Sequence, residues 1–245
     1  MSELKIEQNG RTTIFTLNRP DKANSINTPM ARQLEEEFAK FDASDQMVAI
    51  VTGAGRNFCG GADLIDPPAS LWRVIPTLGI RTNKPIICAV NGVCVGAALV
   101  FTAMADLCVA GESARFHYPE GRFALSGGLV AALATRIPHK FAMEIMLLCQ
   151  AIPAKRAAEM GLINKIVPDE EILDAALEMA RELEIMGPLV TTRLKQFVND
   201  FTLPHSPAEQ MARAMREVAV INESEDMQEG LAAFREKRPP QFKGR

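Results

Sequence analysis

The sequence predicts an α/β protein built on a parallel sheet, with a helical region completing its C-terminal end. Two observations carry this. Met47-Val-Ala-Ile-Val-Thr52 and Ile86-Ile-Cys-Ala-Val90 are short, unbroken apolar runs, which suit strands covered on both faces. Beyond Pro138 the text turns almost wholly helical, with Ile172, Ala176, Met179 and Leu183 recurring as one stripe. The chain has 245 residues, of which 47% are hydrophobic and 23% charged. That is ample for one core plus a smaller extension and excludes a disordered chain. The expected division is a core over residues 1–190 and a C-terminal helical region over 191–245, with a soft boundary.

Thr12-Thr-Ile-Phe-Thr-Leu17 alternates and is rich in β-branched residues, so it reads as a strand, stopped by Asn18-Arg-Pro-Asp21. A helix should follow, with Thr28 as its cap, Pro29 in the first turn and Met30, Leu34, Phe38 and Phe41 on its inner face. The run at 47–52 is the next strand. A helix is expected around Trp72 to Thr82, then the strand at 86–90, giving a crossover between parallel strands. The small apolar residues from Gly96 to Met104 predict a fully buried helix, and Asp106-Leu-Cys-Val-Ala110 resumes strand character. Another helix is expected from Pro207 to Val220.

The net charge of −3, from 27 basic and 30 acidic residues, gives no nucleic-acid footprint. No block of like charge precedes the tail Phe234–Arg245. The five cysteines (Cys59, Cys88, Cys94, Cys108 and Cys149) show no CxxC pairing and mostly sit in apolar runs, as buried reduced thiols of a cytosolic protein would. No secretory leader and no run of about 18 apolar residues is visible, so a cytoplasmic protein without a membrane span is expected. Gly53-Ala-Gly55 follows a strand, but position 58 is Phe58 where a dinucleotide fingerprint needs glycine. No Walker lysine follows a glycine loop. His117, His139 and His205 are too scattered to predict a metal site.

Three segments point to chemistry. Phe58-Cys-Gly-Gly-Ala-Asp63 sets two glycines where backbone N–H groups can approach a ligand. Asn91-Gly-Val-Cys-Val-Gly-Ala-Ala98 follows a strand and opens a helix, whose first N–H groups are free and carry partial positive charge. Donors from both, converging on one point, would form an oxyanion hole for a thioester enolate. Either stretch alone is equally well read as a plain turn. Phe116-His-Tyr-Pro-Glu120 puts a carboxylate after an apolar segment, where desolvation would raise its pKa into a range useful for proton transfer, although taken alone the position reads more readily as a surface glutamate. Asp63 and Asp106 read equally well as groups that satisfy backbone donors.

Six segments in order, Asn18-Arg-Pro with Lys22-Ala-Asn-Ser25, Phe58–Asp63, Ala89–Gly96, Pro119-Glu120, Ala157–Asn164 and Glu229–Arg238, together resemble the enoyl-CoA hydratase/isomerase family nearly end to end. The resemblance implies the crotonase (ClpP-like) fold, a spiral of β-β-α units with a C-terminal helical region for trimerisation or as a lid. It implies homotrimers or homohexamers, an acyl-CoA substrate and no permanently bound cofactor, coenzyme A arriving as part of the substrate. By position, Gly60 and Ala97 would donate the oxyanion-hole N–H groups and Glu120 would be the acid/base. Gly61, Ala62, Asp63 and Leu64 would line the adenine and pantetheine path. Lys22 and Ala23, with Phe234 and Lys237 from a neighbouring subunit, would contact coenzyme A.

The chain departs from the family pattern in one telling place. Hydratases of this family carry a second glutamate four residues after the glycine of the second oxyanion donor, and here that position is Val100. One glutamate suffices for moving a double bond between Δ3 and Δ2, so isomerisation or an atypical hydration is expected. Other acyl-CoA chemistry on the same fold and a catalytically silent acyl-CoA-binding protein are the competing readings. The segment Gly121–Gly128 is also short for the family, and Tyr118, Arg122 or Ser126 would supply polar contacts there. Trp72, Leu78 and Phe123 are candidates for the acyl pocket.

Overall fold

A computed structural model describes residues 2–125, 127–202, 214, 218 and 221–245. The larger sheet runs in the order β1-β2-β3-β4-β6-β9 and contains β1 (Leu4–Asn9), β2 (Thr12–Leu17), β3 (Val48–Gly53), β4 (Ile86–Val90), β6 (Leu107–Gly111) and β9 (Lys165–Val167). Only the β1–β2 hairpin pair is antiparallel; the other neighbours pair in parallel. A smaller sheet joins β5 (Val93–Val95), β7 (Arg115–His117) and β8 (Ile152–Pro153) in the order β5-β7-β8. The helices are α1 (Thr28–Ala43), α2 (Ala97–Met104), α3 (His139–Leu148), α4 (Ala154–Glu159), α5 (Ile172–Glu184), α6 (Pro188–Thr202) and α7 (Glu225–Glu236).

Alternation along the strands divides the core into two layers. Phe15, Ala49, Val51, Cys88 and Val90 face α1 and α2, whereas Ile14, Ile50, Ile87, Ala89 and Val109 face α5 through Ile172, Ala175, Ala176 and Ala180. β4 is buried along its whole length, which is why its sequence shows no alternation. Phe15 stacks on Phe38 with centroids 4.2 Å apart, and Phe41 meets both edge-on, fixing α1 to the sheet. All eight residues of α2 are buried, as its small apolar sequence requires.

Three expectations are corrected. The segment at Trp72 to Thr82 holds only a 3-10 turn over Leu71–Val74, because Pro76 cannot continue a helix and Thr77 then turns left-handed at φ 65°. The cap of α1 is Asn27, whose Oδ1 accepts the Met30 N–H at 3.0 Å; Thr28 and Pro29 are the first helical residues. The region after Pro138 is interrupted by β8 and β9, each too short to leave a period in the sequence. Ser126 and most of the segment 207–220 lie outside the described residues. α6 runs across residue 190 and is tied to the core by Lys195, which bonds Asp106 Oδ2 at 2.7 Å and the Lys84 carbonyl at 2.8 Å. All five cysteines are buried free thiols. Among the described residues, no helix is long and apolar enough to cross a membrane.

Candidate active site

The site is assembled by three short extended segments lying side by side. Cys59 pairs in parallel with Cys94 of β5, its N–H donating to the Val93 carbonyl at 3.0 Å and its carbonyl accepting the Val95 N–H at 2.9 Å. β5 in turn pairs in parallel with β7, so that Val95 stands opposite His117, and the Gly96 N–H donates to the His117 carbonyl at 2.8 Å. Parallel pairing aligns the C-terminal ends. The chain therefore leaves the three segments at neighbouring points, as Gly60-Gly61-Ala62, as Gly96-Ala97 and as Tyr118-Pro119-Glu120.

Two glycines permit the close approach. At Gly61 (φ 90°) a Cβ would stand 2.8 Å from the Val95 carbonyl oxygen and 3.6 Å from the Ala97 amide nitrogen, so the 60–62 loop lies directly against the start of α2. At Gly96 (φ 57°) a Cβ would fall 2.7 Å from Oε1 of Glu120, in the space the carboxylate occupies. Ala97, Gly61 and Glu120 are thus brought to one place from positions up to 60 residues apart in sequence.

The free donors are decided by the hydrogen bonds. α2 has Gly96 as its cap residue with no side chain capping it, and its first internal bond is Val100 N–H to the Gly96 carbonyl at 3.2 Å. The Ala97 N–H is one of the donors this leaves without an intrahelical acceptor. Gly60 differs. Its N–H already donates to the Ala23 carbonyl at 2.8 Å, so the expectation that Gly60 supplies the second donor is corrected. Ala62 is the better candidate. In its parallel bridge with Ile26, the Ile26 N–H reaches the Gly61 carbonyl at 2.7 Å and the Asp63 N–H reaches the Ile26 carbonyl at 2.8 Å. Ala62 takes no part in those bonds, and its own N–H points to the opposite side of the segment.

Glu120 opens a 3-10 turn over Glu120–Phe123. Its Oε2 is buried and has no hydrogen-bond partner. Burial pushes its pKa up to about 7, only partly opposed by its own backbone N–H. One turn along α2 from Gly96, and so on the same helix face, stands Val100, 3% exposed. α2 itself carries no carboxylate.

The remaining predicted residues divide. Ala23, left-handed at φ 48°, holds the Gly60 amide from a turn that also carries the exposed Lys22. Leu64 is exposed beside the loop. Asp63 is engaged within the protein: its Oδ2 accepts from Arg19 Nη1 at 2.8 Å and its Oδ1 accepts the Ile65 N–H at 2.9 Å. Its pKa is lowered, because these hydrogen bonds outweigh the opposing effect of burial, the largest single influence. The same guanidinium donates to the Ser25 carbonyl at 2.6 Å. Asp63 is thus better read as the clamp of the donor loop than as a ligand contact. Phe234 rests edge-on against Phe123 of its own chain with centroids 5.6 Å apart, and Lys237 ends α7 in left-handed conformation. Of the two sequence-predicted contacts at this end of the chain, Phe234 therefore attaches to the Glu120 turn within one chain, whereas Lys237 stands at the end of α7.

Sequence reasoning missed the Arg19–Asp63 pair, whose members are 44 residues apart, and the buried Asn24, whose Nδ2 donates to the Ala54 and Asn57 carbonyls at 2.9 and 2.7 Å. Asn24 does carry a local signal, since asparagine tolerates the left-handed φ of 55° found there.

Residues 7–245 match the family model described as enoyl-CoA hydratase/isomerase. The chain is 34% identical to a 2,3-dehydroadipyl-CoA hydratase of Escherichia coli strain K12, covering 100% of both chains. It is 33% identical to a 1,2-epoxyphenylacetyl-CoA isomerase of the same organism, over 94% of each. The solved structure of a carnitinyl-CoA hydratase from Mycobacterium avium superposes with a TM-score of 0.92 at 30% identity, covering 100% of both chains.

Proposed function

Because the chain belongs to the enoyl-CoA hydratase/isomerase family, we propose that it moves a double bond along an acyl-CoA thioester, with Glu120 as the single acid/base. Its fold is the crotonase fold, and it is an enzyme of the hydratase/isomerase type acting on coenzyme A thioesters. The observation that carries the isomerase reading is the pairing of one desolvated carboxylate with an apolar residue, Val100, where a second carboxylate would be needed to hold and deprotonate water.

The thioester carbonyl oxygen sits between the Ala62 and Ala97 amides. The Glu120 carboxylate removes a proton from C2 of a 3-enoyl thioester, and the electrons of that C–H bond form a dienolate whose oxygen charge the two N–H groups stabilise. The protonated Glu120 returns the proton to C4. A C2–H bond breaks, a C4–H bond forms, and the double bond ends between C2 and C3. A pKa of about 7 suits both halves, since the group must accept and donate at similar driving force. Lys22 and Lys237 would meet the phosphates of coenzyme A as point charges. The helices beyond residue 190 serve assembly, as homotrimers or homohexamers. That reading is supported by the exposed apolar face of α6, where Leu189, Leu194, Phe197 and Phe201 are all more than half exposed.

Hydration is the second reading, favoured by relatives named as hydratases. The test supplies trans-3-enoyl-CoA and trans-2-enoyl-CoA in parallel and follows the conjugated double bond and 3-hydroxyacyl-CoA. Conversion of the 3-enoyl to the 2-enoyl form, lost in Glu120→Gln, is the expected result. Efficient addition of water would overturn the isomerase assignment. Binding of both thioesters without turnover would point to a silent acyl-CoA binder.

A further inference from the structure

Resting on this reading of Glu120, we infer that the C-terminal helix α7 positions the catalytic carboxylate, through a backbone contact between Gly230 and Phe123. Glu120 begins a turn only four residues long, without a capping side chain, closed by the Leu125 N–H donating to the Glu120 carbonyl at 3.1 Å. Such a 3-10 turn has poor hydrogen-bond geometry and little rigidity of its own. Its location is set by what rests on it. α7 rests on it at Gly230, where a Cβ would overlap the Phe123 carbonyl oxygen and come within 3.0 Å of the Phe123 Cα. The neighbouring Phe234 closes over the Phe123 ring edge-on at 89°, and Ala233 is buried beside it.

α7 is itself braced. Ser224 Oγ caps it by accepting the Met227 N–H at 3.0 Å. Beyond it the chain folds back: Arg238 grips both oxygens of Glu229 at 2.6 and 2.9 Å, and the Lys243 and Gly244 amides donate to Asp226 at 2.6 and 2.7 Å. A fixed rod thus presses backbone to backbone three residues from the carboxylate. Among the described residues, the charged or titratable groups of the surrounding elements include Tyr118 and Arg122 beside the carboxylate, His117 of β7, Cys149 after α3, and Glu229, Arg235 and Glu236 of α7 with Lys237 and Arg238 after it; α2 brings none. None of them bonds Oε2 of Glu120, so the environment of that oxygen depends on where the turn is held.

Gly230→Ala pushes the turn away from its seat, because no side chain can rotate to relieve an overlap with a backbone carbonyl. The experiment titrates Glu120 by carboxyl-carbon NMR in glutamate-labelled full-length protein, its signal identified by its loss in Glu120→Gln. Gly230→Ala and the half-exposed Phe234→Ala are followed alongside. The expected result is a midpoint that falls toward the ordinary carboxylate range in both variants as water reaches the displaced carboxyl, and most in Gly230→Ala. For Gly230→Ala, kcat on 3-enoyl-CoA should drop by about tenfold to a hundredfold, the penalty for a misplacement near 1 Å. An unchanged midpoint in both variants overturns the inference. Should Gly230→Ala fail to fold, an unchanged midpoint in Phe234→Ala does so alone. Full turnover in Glu120→Gln would instead overturn the catalytic reading, so the two failures are separable.

Discussion

Glu120→Gln should abolish turnover and yet stabilise the protein at alkaline pH. The carboxyl is held at a pKa of about 7 in the folded chain, against an ordinary value of 4.5, because burial disfavours its charged form. Between those two values the folded state holds a proton that the unfolded state has released. Stability conferred by this group therefore falls as pH rises from about 4.5 to above 7. Integrated from pH 5 to pH 8, a displacement of that size corresponds to about 2–3 kcal/mol, with each unit worth about 1.4 kcal/mol. Glutamine keeps the shape and carries no charge at either pH. The advantage of Glu120→Gln over the parent should accordingly grow by about 2 kcal/mol or more between pH 5 and pH 8. Urea unfolding of both proteins at one protein concentration, repeated at the two pH values, reads this directly. Parallel pH–stability curves would refute the reasoning, because they would mean that the carboxyl is not desolvated in the folded protein.

Three further outcomes follow from the same geometry. Replacing the Ala62 amide by an ester, which deletes its N–H and keeps its side chain, should lower kcat by about a hundredfold, as loss of one oxyanion donor does; unaltered kinetics would exclude Ala62 as a donor. Asp63→Asn removes one of the two carboxylates paired with a largely buried guanidinium, Glu3 remaining at 3.3 Å, and should reduce stability by about 1–2 kcal/mol while raising KM for acyl-CoA through disorder of the donor loop. Since the Asp63 pKa is lowered, the parent loses this contribution as pH falls through the folded pKa, so the gap between the two proteins should narrow in acid; calorimetry across pH checks this. Val100→Glu should lower the melting temperature by burying a carboxylate, and should bring measurable 3-hydroxyacyl-CoA formation if the missing acceptor is what prevents hydration. A variant that folds and still adds no water would show that another feature excludes it.

Much of this protein is determined by its sequence alone. Unbroken apolar runs at 47–52 and 86–90 can only be satisfied by strands covered on both faces, and the layers found on either side of β3 and β4 are the ones those runs demand. Membership of the family was legible from six short segments in order, whereas the apolar segment before Glu120 only raised desolvation as an option beside a surface position, and the fold decided it. The tertiary structure decided everything that depends on pairing between distant segments. Whether Gly60 or Ala62 offers a free N–H turns on which amide the Ala23 carbonyl and the Ile26 bridge consume, and no local pattern encodes that. The capture of Asp63 by Arg19, and the seat of α7 on the Glu120 turn, likewise arise from contacts across 44 and more than 100 residues of chain. Hydrophobic periodicity reports which face of an element is buried, but only packing determines which donors remain unpaired, and the chemistry proposed for this site rests on those donors.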